Sequence, residues 1–277
     1  MFARLLFLLA VVGATPALAQ QAVHVPVEQG GRTLQLAAQL FKPPGAGPSP
    51  AVAIFHGCGG PGQNTARMAG LLASWGYVAL VVDSFSARRL KDVCGRANWP
   101  TQRDAETRAL DIDAALAWLA KQSFVVAGRI AFMGYSYGGG VAALRALQRA
   151  DAAAPSPARA AILVYPDCGL ADALGPKLAV RQPTLFAMGA LDDWTPVSQC
   201  QAAIDRIVQG RDLVETKVYE GAHHSFDALG LPVRYLKDVG NRSKPNDCCG
   251  AHYGANQKAW AAFVEDVKTF LARTLAK

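Results

Sequence analysis

The sequence lacks the patterns that identify several common classes of protein. It contains no Cys-x-x-Cys pair and no His/Cys spacing typical of a metal centre, so we expect no metal site. Its formal net charge is +7, but lysine and arginine form no run that could follow a phosphate backbone, so we expect no nucleic-acid partner. No segment after residue 19 approaches the ~20 apolar residues of a membrane-spanning helix. Without repeats or low-complexity linkers, residues 20–277 are predicted to form one domain.

Residues 1–19 have the composition of a secretory signal peptide. Arg4 supplies a positive start, residues 5–12 are apolar, and residues 17–19 (Ala-Leu-Ala) match a cleavage site. The apolar run is too short to cross a bilayer. We therefore expect a mature chain that begins near Gln20, is exported to the periplasm or the medium, and keeps no stable membrane anchor.

The cysteine content agrees with an oxidising compartment. Six cysteines allow 15 complete pairings, and sequence alone does not choose among them. The six are Cys58, Cys94, Cys168, Cys200, Cys248 and Cys249.

Strand-like and helix-like segments alternate along the chain. This alternation predicts an α/β fold with a mostly parallel central sheet and helices on both faces. A hairpin is predicted at the start, and a last helix from about Asn256. The predicted strands are 23–27 and 34–41 in the hairpin, then 51–55, 78–82, 129–133, 161–165, 184–188 and 214–219.

Local signals predict where several helices begin and end. Asn64 is a candidate N-cap for a helix that stops at Gly76, and Thr101 with Asp104 resembles a capping box. The helix after Thr101 is predicted to reach about Lys121, and another to span 197–208. The carboxylates of the helix after Thr101 are expected to be solvated rather than catalytic; they are Asp104, Glu106, Asp111 and Asp113.

The most informative motif is at residues 134–138, which read Gly-Tyr-Ser-Tyr-Gly. This is the G-x-S-x-G pattern of a nucleophile elbow, in which small residues flank a serine on a strained strand-to-helix turn. A strand is predicted before the motif and a helix after it, whereas a chance match would be only a turn with an exposed serine. Ser136 is therefore the candidate nucleophile.

A serine nucleophile requires a base and a carboxylate that orients the base. His223 and His224 follow the strand predicted at 214–219, where the last member of a Ser-acid-His order belongs. Because adjacent side chains point in different directions, only one of the two is expected to be the base. Three other histidines have other expected roles: His24 at the surface, His252 in an exposed Gly-rich loop, and His56 as a loop-shaping hydrogen bonder.

The turn after the strand predicted at 184–188 supplies the candidate acid. Asp192 and Asp193 compete there, and the one that is not the acid could cap the helix that starts near Pro196. Asp167 is a third candidate, because it follows the preceding strand. We favour Asp192.

The oxyanion of an acyl-transfer intermediate needs main-chain donors. One is expected from Tyr137, directly after Ser136. The other is expected from the loop at 56–60, His-Gly-Cys-Gly-Gly, where the N–H of Cys58 is the candidate.

Taken together, four segments resemble the dienelactone hydrolase family of α/β-hydrolases over most of the mature chain. The resemblance implies that the histidine before Ser-Phe, His224, is the base, and that the aspartate closing a G-x-x-D pattern, Asp192, is the acid. The segments are 55–60, 129–139, 189–192 with the following Pro196, and 219–226.

One departure from this family changes the expected activity. Dienelactone hydrolases proper have a cysteine at the elbow, where this chain has Ser136. The resemblance therefore implies a serine hydrolase that cleaves a small-molecule carboxylic ester without a cofactor. The alternatives are a peptidase or amidase with the same triad, and an exported binding protein that kept the fold without catalysis.

The resemblance to this family also implies that the loop cysteines lie at the catalytic edge of the sheet. It implies bridges Cys58–Cys94 and Cys168–Cys200, and leaves Cys248 and Cys249 without a predicted role, since a bridge between neighbours is rare. The segment 227–254 is long for a loop. Because it leaves directly from the His224 turn, we expect it to help wall the substrate pocket.

Overall fold

The computed structural model describes residues 20–152 and 157–276. Its centre is an eight-stranded sheet whose strands match the predicted apolar runs to within a few residues. The expected signal peptide, 1–19, lies outside the described residues. The strands are β1 (Gln20–Gln29), β2 (Arg32–Phe41), β3 (Ser49–Phe55), β4 (Val78–Val82), β5 (Val125–Tyr135), β6 (Ala160–Val164), β7 (Thr184–Gly189) and β8 (Val214–Tyr219).

The strand order across the sheet is β1-β2-β4-β3-β5-β6-β7-β8. β2 runs antiparallel to both its neighbours, and every other adjacent pair is parallel. Within the described residues, five α-helices connect or follow the parallel strands, which confirms the predicted α/β-hydrolase fold. The helices are α1 (Gln63–Ser74), α2 (Gln102–Ala120), α3 (Tyr137–Ala146), α4 (Val197–Asp205) and α5 (Gln257–Thr274).

The period of two along each strand divides the core between the two faces of the sheet. In β3, Ala53 and Phe55 enter the core shared with α2, α3 and α4, whereas Val52 and Ile54 enter the core shared with α1 and α5. Apolar residues on both sides of each strand make the central strands read as continuous hydrophobic runs. The carboxyl ends of the parallel strands therefore meet at one edge, between the two helical layers.

Three short strand pairings lie outside the central sheet. Leu178–Val180 pairs with both Leu147–Arg149 and Ile207–Gln209, and Arg234–Leu236 pairs with Ala251–Tyr253. The helix predicted at 197–208 therefore ends earlier than expected, because residues 207–209 pair with a strand instead.

Two local predictions are wrong and two are confirmed. The N-cap of α1 is Gly62 and not Asn64, whose side chain donates to Asp227. Asp111 is not solvated: it is buried, and both of its carboxylate oxygens accept from Arg88. Thr101 caps α2 as predicted, in a capping box with Asp104, and Gly76 follows α1 in a left-handed conformation.

Candidate active site

Ser136 occupies the sharp turn between β5 and α3. Its backbone has φ 55° and ψ −120°, a region that serine rarely adopts, and its side chain faces the carboxyl edge of the sheet. The turn requires glycine at 138, because a Cβ there would collide with the main chain of Phe55 and His56. The helix then packs directly against the end of β3, and Ser136 remains only 8% exposed.

Two short hydrogen bonds connect the side chains of Ser136, His224 and Asp192. Ser136 Oγ lies 2.8 Å from His224 Nε2, and His224 Nδ1 lies 2.8 Å from Asp192 Oδ2. Since the carboxylate can only accept, Nδ1 carries the imidazole proton and Nε2 is left to accept from the serine hydroxyl. All three residues are buried. This arrangement can take a proton from the hydroxyl and hold the resulting imidazolium beside a carboxylate.

The structure brings only Asp192 of the three candidate acids to His224. Asp193 points the opposite way, where its carboxylate accepts from the main chain and the ring of His252 at 2.7 and 2.8 Å. It does not cap α4, which begins after Pro196 without a side-chain cap. The carboxylate of Asp167 accepts from Arg242 Nε at 3.1 Å.

The other histidines lie outside this hydrogen-bonded chain. His24 is exposed on β1, as expected. His252 lies on the short strand Ala251–Tyr253 instead of in a loop; it pairs with Asp193, and 46% of its side chain is accessible. His223 lies with its ring centre 5.5 Å from that of His252. His56 is buried, and its ring bonds to Gly57 O in its own loop and to Ser84 N in the loop after β4.

Three residues that sequence reasoning missed surround the acid and the base. The main-chain N–H groups of Trp194 and Thr195 donate to Asp192 Oδ1 at 2.9 and 2.8 Å. Thr195 Oγ1 lies 3.0 Å from Asp192 Oδ2 and 3.1 Å from His224 Nδ1. The rings of Trp194 and Tyr165 lie against His224, with centres 4.8 and 4.7 Å away. The carboxylate and the imidazole are therefore fixed from several sides.

The loop after β3 lies beside the hydroxyl of Ser136. A Cβ on Gly57 would be 3.3 Å from Ser136 Cβ and 3.8 Å from Oγ, so the main chain of this loop approaches the nucleophile closely. Cys58, the next residue, is buried and bonded to Cys94. Tyr137 begins α3, where the first N–H groups of a helix have no partner within it.

Three disulfides are present. Cys58–Cys94 and Cys168–Cys200 confirm the two predicted pairings. The third joins the neighbours Cys248 and Cys249, for which the sequence predicted no role. No cysteine of the described residues is free.

A cavity of about 970 Å³ opens beside Tyr137. Its wall comes from the end of β1, the loop after β4 and the first half of α2. Five cationic side chains contribute to it, against two carboxylates, Asp92 and Asp104. The five are Arg88, Arg89, Lys91, Arg103 and Arg108.

The segment 227–254 packs on the acid turn rather than on this cavity. Gly240 O accepts from Trp194 Nε1 at 2.8 Å, and Asn241 Nδ2 donates to Asp193 O at 2.9 Å. Among the described residues, none of this segment lines the cavity beside Tyr137. The expectation that it forms a pocket wall is therefore not met for that cavity.

Two features are absent from residues 20–152 and 157–276. No cluster of three or more His, Cys, Asp or Glu side chains is arranged to hold a metal ion. No helix in the same ranges has the length and apolar content needed to traverse a bilayer.

Comparison with known proteins gives a family match and a curated relative. A model of the dienelactone hydrolase family matches residues 36–271. A probable 2-oxo-3-(5-oxofuran-2-ylidene)propanoate lactonase from Bradyrhizobium sp. is 28% identical over 195 residues, which cover 68% of this chain and 78% of that protein.

Solved structures share the fold at low identity. A dienelactone hydrolase-like promiscuous phosphotriesterase from metagenomic libraries superposes with a TM-score of 0.65 at 19% identity, covering 92% of this chain and 99% of that one. Thermogutta terrifontis esterase 2, phosphoramylated by tabun, has a TM-score of 0.59 at 18% identity, with 96% and 97% covered.

Proposed function

Since the chain belongs to the dienelactone hydrolase family, we propose that it is an exported serine hydrolase that cleaves carboxylic esters through an acyl-enzyme. The observation that carries this proposal is the pair of 2.8 Å contacts from Ser136 through His224 to Asp192. The strained turn at Ser136 and the burial of all three side chains support the same assignment. Esterase 2 of Thermogutta terrifontis, a fold relative, is phosphoramylated by an organophosphate, which is the reactivity expected of such a site.

The proposed reaction has two acyl transfers. Ser136 Oγ attacks the ester carbonyl while His224 Nε2 takes its proton, and the N–H groups of Cys58 and Tyr137 hold the oxyanion. The imidazolium, stabilised by Asp192, then returns the proton to the departing alkoxide, so an alcohol leaves and Ser136 is acylated. Water repeats the attack with the same base, which releases a carboxylic acid and restores the serine.

The first test is the intact mass of the unreduced protein before and after treatment with a fluorophosphonate. The serine oxygen would bond to phosphorus and fluoride would leave, so we expect a single adduct on the wild type. Ser136→Ala is the matched control and should give none. A folded wild type that forms no adduct would contradict the proposal and favour the non-catalytic binding protein.

A peptidase or amidase with the same triad is the nearest alternative activity. The two differ in the leaving group: an amide nitrogen must be protonated before its C–N bond breaks, whereas an alkoxide is a better leaving group. Matched ester and amide substrates with one acyl group would separate them. Faster turnover of the amide would replace the esterase proposal.

A carboxylate-bearing ester or lactone is a second candidate for the substrate. A lactone is a cyclic ester, so the same acyl-enzyme chemistry applies to it. The name of the Bradyrhizobium relative refers to a lactone of this kind, and the cavity beside Tyr137 has five cationic side chains against two carboxylates. Comparing a neutral ester with its carboxylate analogue tests this candidate.

Export is proposed from the signal-like sequence of residues 1–19 and is supported by the three disulfides. N-terminal sequencing of the protein from its native host should begin near Gln20. The same proposal treats residues 20–277 as one hydrolase domain.

A further inference from the structure

Arg108 is a buried arginine of α2 that contacts both sides of the turn at Ser136. It is only 3% exposed, and its Nη2 donates to His56 O at 2.6 Å. Its guanidinium carbon lies 4.8 Å from the ring centre of Tyr137 and 5.1 Å from that of Phe85. The guanidinium therefore contacts both His56, which precedes the Gly57–Cys58 peptide, and Tyr137, which follows the nucleophile.

The hydrogen bonds of His56 show how this contact reaches the Cys58 N–H. Ser84 N donates to His56 Nε2 at 3.2 Å, so Nδ1 carries the proton and donates to Gly57 O at 2.7 Å. Gly57 O and the Cys58 N–H belong to one planar peptide and point in opposite directions. Fixing the carbonyl therefore fixes the direction of the N–H.

Arg108 contributes a hydrogen bond to His56 O, and within the described residues it forms no ion pair with the nearby Asp111. Both carboxylate oxygens of the nearby Asp111 accept from Arg88. Within the described residues, Nε and Nη1 of Arg108 are buried without a hydrogen-bond partner. The hydrogen-bond contacts of the guanidinium within the described residues are therefore both with His56.

We propose that Arg108 is a positioning residue that sets the direction and spacing of the two oxyanion donors, the N–H groups of Cys58 and Tyr137. This inference rests on the proposed serine hydrolase function. The guanidinium acts on the first donor through His56 and on the second through the ring of Tyr137. Its effect on the oxyanion hole is exerted through these two residues and not by contact with the oxyanion.

Arg108→Met tests the proposal, because methionine keeps apolar volume between the two rings and removes the donor to His56 O. Arg145→Met on α3 is the matched control; Arg145 pairs with Asp113 at 3.0 Å, away from the site. The first readouts are KM and kcat, with kcat expressed per active site as titrated with a fluorophosphonate. The other readout is the affinity for a trifluoromethyl ketone, whose serine adduct carries the oxyanion. Loss of structure alone would lower the number of active sites and leave kcat per site unchanged.

For Arg108→Met we expect kcat and ketone affinity to fall together by about 10- to 100-fold, with KM nearly constant. Arg145→Met should match the wild type. If Arg108→Met does not fold, Arg108→Lys decides by the same readouts, because lysine lacks the planar group that stacks between the rings. If the wild type is active and the folded variant has the same kcat and ketone affinity, the inference about Arg108 is overturned and the proposed function stands. A wild type without ester turnover and without a Ser136 adduct would overturn the proposed function as well.

Discussion

The hydroxyl of Thr195 lies 3.0 Å from Oδ2 of Asp192, the same oxygen that accepts from His224. It also lies 3.0 Å from Tyr165 O. Having one proton, it donates to only one of these acceptors at a time. In either case the hydroxyl lies between the Asp192 carboxylate and the main chain of Tyr165.

Replacing this hydroxyl by a methyl group should affect both stability and rate. For Thr195→Val we expect a loss of about 1–2 kcal/mol in the free energy of unfolding, because a buried acceptor is left without its donor. We also expect kcat/KM to fall, since Asp192 is less firmly held. Thr184→Val is the matched control: Thr184 is buried and donates to Gln182 O at 3.0 Å, so its loss should lower stability but not kcat/KM. Equal activity in the two variants would contradict the role given to Thr195.

The two neighbouring aspartates should respond very differently to the same substitution. Asp192→Asn removes the charge that stabilises the imidazolium and the acceptor that selects its tautomer, so kcat should fall by about 10³- to 10⁴-fold. Asp193→Asn changes only the contact with His252 and should keep most of the activity. Steady-state kinetics of both variants on one ester would show this. A larger loss in Asp193→Asn would mean that the acid is assigned to the wrong residue.

His56 should make the stability of the protein depend on pH. Burial, followed by the charge of Arg108, holds the pKa of His56 well below its ordinary value of 6.5. Below pH 6.5 the unfolded chain takes up a proton that the folded protein does not, so this contribution is present above pH 6.5 and is lost as the pH falls. The slope approaches at most about 1.4 kcal/mol per pH unit.

Urea unfolding at several pH values between 7 and 5 measures this slope. His56→Gln should flatten it, whereas His24→Gln, at an exposed position on β1, should leave it as in the wild type. Identical slopes in all three proteins would show that His56 is not the group responsible.

The Cys58–Cys94 bridge should support both the fold and the oxyanion loop. It closes a loop with a sequence separation of 36 residues, so removing it as Cys58→Ala/Cys94→Ala should lower the free energy of unfolding by about 3–4 kcal/mol. We also expect slower labelling by a fluorophosphonate. Cys248→Ala/Cys249→Ala is the control, because a bridge between adjacent residues constrains almost none of the unfolded chain. An unchanged labelling rate in the first variant would argue against Cys58 as an oxyanion donor.

The cationic cavity should select for substrate charge if it receives part of the substrate. Arg103→Glu and Lys91→Glu alter exposed positions of its wall and should raise KM for an ester bearing a carboxylate more than for its neutral analogue. The difference should shrink at high ionic strength because salt screens exposed charges. Equal KM changes for both esters would show that the cavity does not bind the carboxylate of the substrate.

The sequence predicted the sheet well because its strands are apolar on both sides and are separated by helices. It also indicated the turn at Ser136, where glycines and a strand-to-helix change coincide. It favoured Asp192 but left Asp193 and Asp167 open as alternatives, because the direction of a side chain in a tight turn depends on main-chain angles that composition does not reveal.

The buried charges were missed for a different reason. Asp111 was predicted to be solvated and Arg108 was given no role, yet Arg108 follows the apolar spacing of Ala105, Ile112 and Leu116 on α2. A charged residue within an apolar stripe is a usable signal of a buried ionic group. Its partner Phe85 and the neighbouring His56 come from the loops after β4 and β3, so the contacts themselves required the fold.

The attachment of the segment 227–254 to the acid turn has a consequence for heat inactivation. Gly240, Asn241 and His252 hold Trp194 and Asp193, and Gly254 N donates to His224 O at 2.9 Å. Because of these contacts, we expect the segment and the acid turn to open as one cooperative unit. Activity should disappear on warming as soon as this unit opens, while α1 and α5 still protect the opposite face of the sheet from hydrogen exchange.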